Sequence, residues 1–216
     1  MILETHAVEP FLKNGFVLGC ERTREGVLID PGDEAEQLLD AVKRHGLNVR
    51  YILLTHAHLD HITGVGAAKA ALGAPVGLHA DDNFLYAAVS EQGRAFGLHV
   101  PAQPPVDFFY DPAGDPLRFG DYEVRVHHTP GHCPGGVCLQ VGRAGQPRPD
   151  LFVGDTLFAG SIGRTDLPGG NLDVLMRSIR QVLFSFPDDA VVHPGHGPKT
   201  TVGHEKRTNP FLLAVY

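Results

Sequence analysis

The chain has 216 residues, 43% hydrophobic and 20% charged, with a formal net charge of −7. This is ordinary for a globular chain long enough to bury a full core without disulfides, and one domain over 1–216 is expected; the negative balance disfavours a nucleic-acid backbone as partner, where affinity comes from clustered Lys and Arg. No apolar run approaches the roughly 20 residues of a membrane span, no basic segment leads into an apolar core at the N-terminus, and Cys20, Cys133 and Cys138 form no CxxC pair, so a cytoplasmic, reducing location is expected.

Residues 16–20 and 26–30 read as two strands joined by the polar turn Glu21-Arg22-Thr23-Arg24-Glu25. Asp30-Pro31-Gly32 ends the second; Asp30 either faces the loop described next or bonds its own turn backbone. The spacing of Leu38, Leu39 and Val42 predicts a helix over 33–45, capped by Asp33 and stopped by Gly46.

Residues 49–54 are a buried strand by composition, and the run ends in His56-Ala57-His58-Leu59-Asp60-His61. Three imidazoles and a carboxylate within six positions suit zinc, iron or manganese. A small, Ala-rich helix over 64–72, a strand over 75–78 and helical turns within 81–97 follow. Residues 101–116 are Pro-rich and irregular; their aromatic trio Phe108-Phe109-Tyr110 is either a pocket wall or core.

Strands over 121–126, 137–141, 151–153 and 190–192, a polar turn over 142–150 and an amphipathic helix over 171–184 capped by Asn171 complete the chain. The strand ends deliver His132, Asp155 and His196 beside glycines. With the first cluster this makes seven ligands, which suits two ions sharing a bridge. Alternating strands and helices suggest an α/β protein of two sheets with outer helices.

The set HxHxDH, Gly131-His132, Gly154-Asp155 and Gly195-His196 resembles the metallo-β-lactamase superfamily. The resemblance implies a four-layer αβ/βα sandwich. It implies that His56, His58 and His132 bind one ion, Asp60, His61 and His196 a second, and Asp155 both. Gly163-Arg164-Thr165-Asp166 and Gly195-His196-Gly197-Pro198-Lys199 are similar to single-domain glyoxalase II-like proteins (hydroxyacylglutathione hydrolases), and the helical C-terminal domain of full-length glyoxalase II is expected to be absent. That resemblance implies a hydrolase of small thioesters using two divalent ions, zinc first, with iron or manganese accommodated. Water made nucleophilic between the ions would attack the thioester carbonyl, with Asp60 as ligand and orienting group. Cys133 stands where the family usually has Thr or Ser. Arg164 either braces the site through Asp166 or meets a substrate carboxylate; Lys199 either meets an anionic substrate or is solvated. His127 or His128 is a candidate to orient a ligand, while His79 and His193 read as structural. The alternative is a persulfide dioxygenase with one Fe(II) on His56, His132 and Asp155.

Overall fold

The apolar runs pair into two six-stranded sheets in the computed structural model, which describes residues 1–143, 145 and 148–213. The chain divides into two compact units. The first comprises Met1–Tyr110 and Arg118–Asp121. Its sheet has the order β1 (Ile2–His6), β2 (Gly15–Gly19), β3 (Glu25–Ile29), β4 (Asn48–Leu53), β5 (Val76–Leu78) and β6 (Phe108–Phe109). The first three strands are antiparallel and the last four parallel. Every residue of β2 is buried, as is β3 beyond Glu25, so these strands read as continuous apolar runs rather than alternations.

Five helices belong to this unit: α1 (Ala35–His45), α2 (Leu59–Ile62), α3 (Val65–Leu72), α4 (Asn83–Ala87) and α5 (Val89–Ala95). Helix α1 buries Leu38, Ala41 and Val42 and stops at Gly46, whose φ of 60° is the left-handed cap position. The predicted cap is corrected. Glu34 occupies the cap position and makes no side-chain cap bond. Asp33 instead accepts a hydrogen bond from the Thr63 hydroxyl at 2.6 Å. Residues 101–116 are irregular apart from β6 and Tyr110. The buried Tyr110 hydroxyl is 2.9 Å from Leu54 N, 3.1 Å from Leu54 O and 2.9 Å from Gly77 O, and burial pushes its pKa well up. The aromatic trio therefore splits: Tyr110 is core and Phe109 is half exposed.

The second unit comprises Asp111–Leu117 and the chain from Tyr122 onward. Its strands are β8 (Tyr122–His128), β9 (Val137–Arg143), β10 (Asp150–Gly154), β13 (Val191–Pro194) and β14 (Thr200–Thr201), with β7 (Leu117–Phe119) at one edge of the sheet, in the order β14-β13-β10-β9-β8-β7. A separate small hairpin pairs β11 (Leu157–Phe158) with β12 (Ser161–Ile162). The polar turn expected over 142–150 lies partly outside the described residues.

Helix α6 (Leu172–Gln181) begins where expected, with the Asn171 side chain accepting from Val174 N at 3.0 Å. Its Leu175 and Ile179 join Leu151, Val153 and Val192 in the unit's core. Helices α7 (Val202–Thr208) and α8 (Pro210–Leu213) follow. Because β8 and β10 are both antiparallel to β9, and β13 is parallel to β10, β8, β10 and β13 all end at one edge of this sheet. In such sheets ligands gather at the C-terminal strand ends. No helix among the described residues is long and apolar enough to cross a membrane.

Candidate metal centre

In the first unit the parallel register of β3 and β4 pairs Ile29 with Leu53, so Asp30 and Thr55 leave the sheet at the same end. The Asp30 carboxylate, fully buried, accepts three hydrogen bonds. Thr55 N–H reaches one oxygen at 2.6 Å; the Thr55 hydroxyl, at 2.6 Å, and His61 Nδ1, at 2.9 Å, reach the other. Having given its proton to Asp30, the Thr55 oxygen accepts from His56 Nδ1 at 3.2 Å. Both neutral rings then carry hydrogen on Nδ1 and a lone pair on Nε2, the form a metal ion requires. Of the two readings for Asp30, the structure selects the one facing the loop.

The His56 ring lies 4.9 Å from that of His58 and 4.0 Å from that of His61, centroid to centroid. Asp60 Oδ2 lies 3.7 Å from His61 Nε2. The loop that carries them is held by residues the sequence reading did not single out. Asp82 accepts from Ala57 N at 3.0 Å. Gln92 accepts from Leu59 N at 2.9 Å and donates to Ala57 O at 3.0 Å. Beneath the Asp30 turn lies a buried ion pair. Lys13, 2% exposed, donates to Asp30 O and, at 2.5 Å, to Glu34 Oε1, which also accepts from Gly32 N at 3.0 Å. Gly32 itself allows a close approach: a Cβ there would sit 1.9 Å from Asp60 O.

In the second unit His132 lies on the loop after β8. Its Nδ1 donates to the Arg164 carbonyl at 2.7 Å, which again leaves the lone pair on Nε2. Asp155, just past β10, places Oδ2 3.6 Å from His132 Nε2 and 3.6 Å from His196 Nε2. Ligand atoms around a tetrahedral ion with bonds of about 2.0–2.2 Å are about 3.3–3.6 Å apart, so this spacing fits a metal rather than direct hydrogen bonds. Gly163 lets the Arg164 segment close on this group, since a Cβ there would meet Asp155 O at 1.8 Å and His132 Nδ1 at 3.2 Å.

The Arg164 guanidinium forms a two-pronged pair with Asp166, at 2.7 Å on each arm, and both side chains are exposed. That pair pushes the Asp166 pKa down to about 2. Lys199 is exposed. His193 bonds Asp150 at 2.7 Å and stacks on Phe152, and His79 Nδ1 accepts from Asp81 N at 3.3 Å. His127 bonds Gln140, while His128 donates to Pro134 O on the His132 loop, each at 2.8 Å. Cys133 is buried, and none of the three cysteines is in a disulfide.

Each of the seven expected ligands belongs to a His/Asp set able to hold a metal ion. Residues 9–196 match the family model described as the metallo-beta-lactamase superfamily. A relative from Haemophilus influenzae, the hydroxyacylglutathione hydrolase GloC, is 39% identical over 98% of each chain. Among solved structures, BLEG-1, a B3 metallo-beta-lactamase, is 37% identical with a TM-score of 0.88 over 99% of this chain and all of its own. TTHA1623, solved in a di-iron-bound form, is 42% identical with a TM-score of 0.80 over 97% of this chain and all of its own. This chain, with its mixed α/β sheets and its His/Asp sets suited to divalent ions, therefore belongs to the metallo-β-lactamase superfamily and has that superfamily's fold.

Proposed function

We propose that the two units are halves of one domain and that their ligands hold two divalent ions: one on His56, His58 and His132, one on Asp60, His61 and His196, with Asp155 shared. We further propose that the protein hydrolyses small thioesters of the S-hydroxyacylglutathione type. The observation that carries the reading is Asp155 Oδ2 at 3.6 Å from both His132 and His196, which supports its sharing between the two groups of ligands. The family match spans both units, and a hydroxyacylglutathione hydrolase is among the relatives. Zinc is the proposed metal, and the di-iron form of a similar protein makes iron the first competitor.

A pair of such cations, when bound, lowers the pKa of water and polarises a carbonyl. This chain's residues prepare for that chemistry. Asp30, directly on His61 and through Thr55 on His56, holds the proton on Nδ1 of each ring. The Arg164 carbonyl does the same for His132. The Asp60 side chain, 17% exposed, can ligate with one oxygen and orient the attacking water with the other. A thiolate leaves without protonation, so no separate acid is needed. Three buried thiols outside any disulfide fit the reducing cytoplasm proposed for the protein. The mononuclear dioxygenase reading is not favoured, because it leaves His61, oriented by Asp30, without a role.

Elemental analysis beside anaerobic turnover of S-D-lactoylglutathione tests the reading. Two ions per chain and oxygen-independent hydrolysis are expected. A single iron with turnover only in oxygen would overturn it.

A further inference from the structure

A groove of about 760 Å³ in the second unit has no part in the centre described above. Ile162, Leu172, Met176 and Phe211 form its apolar lining, and Arg177 and Arg180 of α6 line it with one carboxylate, Asp173, and the Gln181 amide. Leu172 and Phe211 are 47% and 48% exposed, so part of this apolar lining faces water. The two arginines, three positions apart, are about 5–6 Å from each other at Cβ. Neither has an ion pair or hydrogen bond among the described residues. Two guanidinium forks beside an apolar floor suit a carboxylate or phosphate joined to an apolar stem. The volume is that of a small-molecule site.

Two walls of the groove begin one residue from the His132 loop. Ile162 precedes Gly163, whose Cα would place a Cβ 3.2 Å from His132 Nδ1. Leu172 follows Asn171, whose N–H donates to Gly131 O at 2.7 Å. The same helix is pinned to that loop again by Ser178, whose hydroxyl donates to Pro130 O at 2.7 Å. Successive Cα atoms are about 3.8 Å apart, so these two walls border the His132 loop, on the Nδ1 side of that ring.

We propose that this groove binds the anionic thiol carrier of the thioester substrate, with its stem on Leu172, Met176 and Phe211 and its carboxylate or phosphate on Arg177 and Arg180. The proposal rests on the thioesterase reading for its setting. It would make α6 the element that selects among thioesters, since the part of a substrate remote from the reacting bond sets specificity.

The test uses one acyl group on three carriers: D-lactoyl glutathione (carboxylates), D-lactoyl coenzyme A (phosphates) and the uncharged D-lactoyl N-acetylcysteamine thioester. The double variant Arg177→Gln/Arg180→Gln changes only exposed side chains. It is expected to raise KM for the preferred anionic carrier about ten-fold, shrinking the preference over the uncharged thioester by the same factor. Which anionic carrier suffers more identifies the anion. Independently, S-methylglutathione and coenzyme A are titrated calorimetrically into metal-depleted protein. Binding by the parent chain that is lost in the double variant supports the groove even if no thioester is turned over, a result that would sink the thioesterase reading alone. Equal KM values in parent and variant, or unchanged binding, would overturn the groove while leaving hydrolysis intact. A second copy of the chain covering the groove, seen as a dimer that the variant dissociates without any ligand binding, would also overturn it.

Discussion

In the first unit four proposed ligands sit within six positions, with Asp30 and Thr55 on their rings and Asp82 and Gln92 on the loop that carries them. In the second, three ligands come from three strand ends. There a main-chain group, the Arg164 carbonyl, accepts from the His132 ring, with Gly163 permitting the approach. The contrast teaches where each half is vulnerable. Side-chain truncation should damage the first half. In the second, changes that move the backbone should weigh most on His132.

Asp30→Ala is the strongest way to probe this contrast. It strips three buried donors of their acceptor, and we expect a loss of about 3 kcal/mol in urea unfolding of the metal-depleted protein. Metal affinity, read by competition with a chelator, should fall about 10–100-fold. Unchanged affinity would show that His56 and His61 do not need this brace. Gly163→Ala comes next, because its methyl would collide with Asp155 O at 1.8 Å. We expect about 1–3 kcal/mol of destabilisation and a metal stoichiometry below that of the parent. Normal stoichiometry would mean the backbone yields without disturbing His132.

Arg164→Ala sharpens the comparison from the other side. It removes an exposed guanidinium and keeps the carbonyl that holds His132. Metal content should match the parent, and only the contribution of the Asp166 pair should vanish. That contribution has a definite pH window. The Asp166 pKa is depressed to about 2 from 3.8, so the pair stabilises the fold above about pH 4 and the benefit fades as pH falls towards 2. Melting curves of parent and variant should therefore converge across that interval. Loss of metal in Arg164→Ala would place the side chain, not the carbonyl, in control of His132.

The His/Asp groups able to hold a metal ion were legible because each member sits where an apolar run breaks at a glycine or a histidine-rich loop, and those breaks are local. The braces were not. Gln92 reaches Leu59 across 33 positions, and Lys13 reaches Glu34 across 21, and nothing in the composition of either neighbourhood marks it. Asp33 misled for a related reason: a good cap residue found a better partner in Thr63, 30 positions away. Strand β6 was hidden by its two-residue length in a Pro-rich stretch, where only pairing with β5 defines it. The groove was invisible because its lining comes from three separate segments.

Lys13 and Glu34 carry an evolutionary implication. A sealed charge couple punishes the loss of either member by about 3–5 kcal/mol, whereas joint replacement by well-packed apolar residues is often neutral. Single-site scanning would therefore flag both positions as immutable. A library that randomises the two codons together should recover functional Met/Leu-type combinations, showing the couple to be one heritable solution among several.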